Sequence, residues 1–116
     1  MVKFGVYLPQ VNVDYNTVKK VALESEGQGF DSVWISDHLL PPLSPPQDSY
    51  LECWTTLSAL AAVTTKLRLG TLVLCNFFRY PSVLAKMAAT LDVISNGRLE
   101  FGIGAGWFKP EFIAYG

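Results

Sequence analysis

Short apolar runs alternate along the chain with longer stretches in which apolar side chains recur at helical spacing. The runs KFGVYLP (Lys3 to Pro9), DSVWIS, KLRLGTLVLCN and RLEFGIGAG predict four strands. The third is nearly continuous in apolar residues, as expected of a strand covered on both faces. Between the runs, DYNTVKKVALESEGQGF places Val18, Val21 and Ala22 on one face, with Asp14 or Asn16 as N-cap and Gly27 or Gly29 as stop. LECWTTLSALAAVTT puts Trp54, Leu57, Leu60 and Ala61 on a buried stripe. YPSVLAKMAATLDVIS lines up Val83, Met87, Leu91 and Ile94 and ends at Asn96-Gly97, a pair suited to a left-handed C-cap. After the fourth run comes WFKPEFIAYG, for which no element is predicted.

A β-α-β-α-β-α-β order dictates parallel strands with right-handed crossovers. Two architectures satisfy it: a doubly wound open sheet, or part of a (β/α)8 barrel. In both, the reactive surface lies outside the C-terminal strand ends. Pro9-Gln10, Asp37-His38, Leu74-Cys75-Asn76 and Gly104-Ala105-Gly106 all fall on that edge.

Composition narrows the classes of function. The 116 residues fit one domain, and half of them are hydrophobic. A net charge of -1 with scattered basic residues gives no footprint for nucleic acid. No apolar run reaches the roughly 18 residues of a membrane span, and MVKFGVYLPQ has no signal-peptide pattern. Cys53 and Cys75 stand apart in unlike contexts, which reads as two reduced thiols in a cytoplasmic protein rather than a disulfide or metal site.

Chemistry concentrates at Asp37 and His38, the only histidine. His38 can serve as general acid/base or as donor to an anionic centre. Equally, Asp37 can hold backbone amides of the proline-rich loop that follows, and both readings stay open. GIGAG, Gly102 to Gly106, has GxGxG rather than GxGxxG spacing and opens no helix, so a Rossmann phosphate loop is disfavoured. Its glycines instead let something flat approach, with Trp107 and Phe108 as aromatic walls. Gly70-Thr71 inside the third strand marks a bulge or close approach by a ligand, or else tight helix packing. Arg79 binds an anion or anchors its loop, with Pro81 at N1 already accounting for the local geometry and favouring the second.

FGVYLPQ, GFDSVWISDHL, LECWTTLSALAAVTTKLRLGTLV, RYPSVLAKMAATLDVISNGRLEFGIGAGW and EFIAYG together resemble the bacterial-luciferase-like monooxygenase superfamily, most closely its coenzyme F420-dependent oxidoreductase branch. The resemblance spans essentially the whole chain. It implies the N-terminal half of a TIM (β/α)8 barrel over residues 1–116, binding F420, or alternatively FMN, at its strand ends. Asp37 and His38 match the family's Asp-His pair, the Asp at the ring or its side chain and the His near the reactive face. A non-proline cis peptide is implied at Leu72-Val73, and this accounts for Gly70-Thr71 better than packing does. Leu72, Val73, Cys75 and Asn76, with Gly104, Ala105 and Gly106, then form the ring's seat. Two departures stand out. Cys75 falls near where relatives often have threonine, and Trp107 takes the place of an acid found in relatives that oxidise sugar phosphates, leaving Glu111 a distant candidate.

The resemblance implies hydride transfer between the ring and a small-molecule substrate, with His38 stabilising charge or moving a proton. With FMN the ring could activate oxygen instead. Four strands fall short of a barrel's roughly 250 residues. The chain is then a fragment, a truncated product, or a half barrel that pairs with a second copy or with a missing C-terminal half. A non-catalytic half barrel is the competing expectation.

Overall fold

A computed structural model describes residues 1–116. Elements follow in the order β1 (Gly5–Tyr7), α1 (Tyr15–Gly27), β2 (Ser32–Ile35), α2 (Cys53–Val63), β3 (Arg68–Thr71), β4 (Leu74–Cys75), α3 (Pro81–Ser95), β5 (Leu99–Glu100), β6 (Ile103–Gly104) and α4 (Lys109–Tyr115). All strand pairings are parallel, in the order β1-β2-β3-β5, with β4 and β6 pairing beyond them. This is the half-barrel arrangement of consecutive β-α units, not a doubly wound sheet whose order reverses.

The register places Val6 beside Val33, and Val33 beside Leu69. Val33, Ile35 and Leu69 are fully buried against Val18, Ala22, Leu57, Leu60, Leu84 and Leu91 of the helices. The opposite, concave face carries Trp34, whose indole lies over its neighbours. A Cβ at Gly70 would stand 2.2 Å from Trp34 Cε3, and one at Gly5 2.5 Å from Nε1. Gly70 is therefore required by the Trp34 ring of the neighbouring strand β2, and the irregularity expected at Gly70-Thr71 follows directly at Leu72-Val73.

Helix boundaries follow their caps. Asp14 accepts from the Thr17 amide at 2.8 Å, and Gly29 turns left-handed just after α1. Glu52 caps α2 through the amides of Trp54 and Thr55. Asn96 adopts the left-handed conformation foreseen for the end of α3. Arg98, only 8 % exposed, donates to the carbonyls of Ala61, Thr64 and Leu67, closing the C-terminal end of α2.

Three expectations need correction. The buried stripe of α3 runs through Leu84, Leu91 and Ser95 with Met87 and Ala88 partly covered, so Val83 and Ile94 are exposed. The third and fourth runs each break in two, with the cis peptide at Leu72-Val73 falling between β3 and β4. Across that break Thr71 Oγ1 donates to the Gly102 carbonyl at 2.8 Å and accepts from its amide at 3.0 Å, replacing the missing ladder. WFKPEFIAYG contains a short helix, α4, with Pro110 in its first turn.

Candidate active site

Asp37 leaves the end of β2 with its carboxylate fully engaged inside the chain. Oδ2 accepts from Arg79 Nη1 at 2.7 Å and from the Cys75 amide at 2.9 Å, while Oδ1 accepts from Arg79 Nη2 at 3.0 Å. Arg79 Nη2 also donates to Glu52 Oε1 at 2.5 Å. Burial opposes the guanidinium charge, yet Asp37 and Glu52 outweigh it and hold the Arg79 pKa above its ordinary value. One buried ion cluster thus fixes the end of β2, the backbone of β4 and the starts of α2 and α3. Loop anchoring is the Arg79 role the structure shows, and Asp37 supports the floor through Cys75.

His38 stands beside Asp37 but faces another acid. Its Nδ1 lies 3.1 and 3.0 Å from Glu111 Oε1 and Oε2. Glu111 Oε1 also accepts from the amides of Leu39 at 2.5 Å and Leu40 at 3.1 Å. A carboxylate receiving those amides is an acceptor, so Nδ1 carries the proton and Nε2 is left without a partner in the chain. Trp107, Phe108 and Tyr50 meet the imidazole edge-on, with ring centroids 5.7, 6.0 and 6.2 Å away. Glu111, 1 % exposed, is the site residue that sequence reasoning set aside. Its signal was a lone acid in the apolar stretch WFKPEFIAY.

Two cavities meet at His38. One, of about 320 Å³, is lined by Asp37, His38, Leu72 to Cys75, Gly104 to Trp107 and Glu111. It gathers every residue placed at the ring's seat except Asn76, which is exposed and pairs its amide with the Gly104 carbonyl at 3.0 Å. The other, of about 540 Å³, shares His38, Leu72 and Trp107 and extends over Tyr7, Gln10, Ser36 and Tyr50.

The smaller cavity has the chemistry of a seat for a planar heteroaromatic ring. Leu72 and Val73 offer apolar surface, and the floor is backbone. Side chains are excluded from that floor: a Cβ at Gly104 would stand 2.7 Å from Val73 Cγ2, and one at Gly106 2.6 Å from Cys75 Sγ. Of its lining acids, Asp37 is paired with the Arg79 guanidinium behind the surface, and Glu111 is held by His38 Nδ1 and the amides of Leu39 and Leu40. A flavin or deazaflavin ring fits this donor set.

Parallel β-α units with a cleft at their C-terminal strand ends are the arrangement in which (β/α)8-barrel enzymes place their sites. A sequence profile for luciferase-like monooxygenases matches residues 2–116, and the chain belongs to that family. It is 35 % identical to an F420-dependent glucose-6-phosphate dehydrogenase of Amycolatopsis mediterranei, over 100 % of this chain and 35 % of that one. Against the pyrimidine monooxygenase RutA of Rhizobium rhizogenes it is 36 % identical, over 93 % of this chain and 30 % of the relative. The coenzyme F420 dependent tetrahydromethanopterin reductase of Methanopyrus kandleri superposes with a TM-score of 0.80 and 29 % identity, over 98 % of this chain and 30 % of that one. The chain spans about a third of the length of these relatives.

Proposed function

We propose that the chain supplies the ring-binding end of an oxidoreductase that uses coenzyme F420, or FMN in its place, to move a hydride to or from a small organic substrate. The observation that carries this reading is the meeting of the glycine-floored cleft with His38, whose Nδ1 is held by buried Glu111. When bound, the ring supplies the two-electron chemistry. The chain's own residues do the rest. Leu72, Val73 and the Gly104-Ala105-Gly106 backbone seat the ring. Glu111 fixes the tautomer, so that His38 Nε2 accepts a substrate hydroxyl proton, or returns one in the reverse direction. Trp107 and Phe108 shield that proton transfer from water. Asp37 and Arg79 act one layer below as positioning residues.

A second reading, a non-catalytic half barrel, draws on the exposed apolar residues Phe4, Phe101 and Ile103. Such surface suits pairing with the rest of a barrel or a second copy. The two readings separate in an anaerobic assay that follows bleaching of F420 or FMN by a panel of alcohols. Bleaching that is lost in His38→Ala while the cofactor still binds supports the oxidoreductase. Equal bleaching in His38→Ala, or none with any alcohol, contradicts it.

A further inference from the structure

The larger cavity beside His38 contains polar machinery that ring binding does not use. Gln10, 3 % exposed, donates both Nε2 hydrogens, to the Ser36 carbonyl at 2.8 Å and the Leu51 carbonyl at 3.0 Å. Its Oε1 is thereby fixed as an acceptor, receiving the Ser36 amide at 2.8 Å, the Tyr50 hydroxyl at 3.1 Å and the Ser36 hydroxyl at 3.2 Å. The Ser36 and Tyr50 hydroxyls bond to each other, and Tyr7 donates to Ser36 Oγ at 2.6 Å. Hydroxyl protons therefore run inward, from Tyr7 to Ser36 and on, directly or through Tyr50, to a glutamine oxygen that cannot reverse them. Burial raises the Tyr50 pKa above its ordinary value, so the chain keeps its protons and its polarity through the physiological range.

Tyr7 is the open end of this chain, 53 % exposed and lining the cavity. Its proton is committed inward, so its oxygen presents lone pairs outward. Donation along a hydroxyl chain strengthens the acceptor at its head. No Lys, Arg, Asp or Glu lines the cavity, and Leu8, Pro42 and Leu43 make its walls apolar. An anion there would face the Tyr7 lone pairs with no Lys or Arg opposite, and His38 Nδ1 is already held by Glu111.

We propose that Tyr7, polarised by Ser36, Tyr50 and Gln10, is the specificity-determining acceptor of this cavity, and that it selects the hydroxyl group of an uncharged, mostly apolar molecule. This names the substrate class of the oxidoreductase reading and rests on that reading for the reaction, though not for the binding: Tyr7 holds the hydroxyl hydrogen on binding, and the same single proton passes to His38 Nε2 when the hydride leaves. The class excludes phosphate esters, whose charge finds no Lys or Arg in the lining. A site built around a hydrogen bond rejects the analogue that cannot make it, because its own polar group is left unpaired.

The single histidine gives a clean test, since its imidazole signals report occupancy of the cavity it lines. The 116-residue chain is titrated with cyclohexanol, cyclohexyl methyl ether and cyclohexanecarboxylate while the ring resonances of His38 are followed by NMR. We expect saturable shifts with cyclohexanol at an affinity about fivefold above that for the ether, the worth of one neutral hydrogen bond, and no saturation with the carboxylate. Tyr7→Phe and Ser36→Ala should each bring the alcohol down to the ether's affinity and leave the ether unchanged. Equal affinity for alcohol and ether in the unsubstituted chain overturns the proposal without reference to any variant, as do preference for the carboxylate and absence of saturation. Parallel titrations with F420 and FMN keep the two claims apart. Alcohol discrimination without cofactor binding would overturn the redox reading alone, and cofactor binding without discrimination would overturn the role of Tyr7.

Discussion

His38 and Glu111 stand 73 positions apart in sequence and meet through a single ring nitrogen. A glutamine at 111 would keep the volume but can offer either its oxygen or its amide hydrogens to Nδ1. In the unsubstituted chain, imidazole ¹⁵N shifts of neutral His38 should show protonated Nδ1 and bare Nε2. In Glu111→Gln they should show a mixture of the two tautomers, and an unchanged spectrum would remove Glu111 from the account. Gly70 is the second residue-scale test. Gly70→Ala forces the Trp34 ring off the sheet and should cost about 1–3 kcal/mol, read from the urea midpoint. At this scale the sequence announced Asp37 and His38 by their place at a strand end, but not their partners. Arg79 and Glu111 reach them through tertiary contacts, and no local pattern encodes a contact 42 or 73 residues distant.

Helices were legible from periodicity, joined by a cap signal at both ends of α1 and at the end of α3. The strand breaks were not, because they depend on Thr71 meeting Gly102 across the sheet and on a peptide geometry that apolar patterning does not record. The stripe of α3 was misplaced by one position because apolar residues occupy two of its faces, and only packing chooses between them. Element-scale stability is carried by charged caps. Burial pushes the Glu52 carboxyl up, but the amides of Thr55 and Trp54 and the Arg79 charge outweigh it, leaving its pKa below the ordinary 4.5. A depressed folded pKa contributes stability above the unfolded value and loses it as pH falls through the folded one. The acid limb of unfolding should therefore begin below about pH 4.5, and Glu52→Gln should flatten it without altering the neutral-to-alkaline limb. An acid limb identical in that variant would contradict the cap's role. Arg98→Ala leaves the buried carbonyls of Ala61, Thr64 and Leu67 without their donor, with an expected loss of about 3 kcal/mol in chemical denaturation.

Across the whole molecule, the alternation of strand and helix was enough to limit the topology to two, and parallel order without reversal selects the half barrel. That topology brings chemistry from β2, β4 and the segment after β6 to one edge, where the cleft forms between backbone and imidazole. The central claim is that this segment carries a preformed seat for a deazaflavin or flavin ring. It is tested most directly by fluorescence titration of the purified chain with F420 and with FMN, alongside Asp37→Ala. The account predicts saturable binding of one of the two, weakened about tenfold when the Asp37 support for the Cys75 amide is removed. A folded chain that binds neither, or that binds equally well without Asp37, would contradict it.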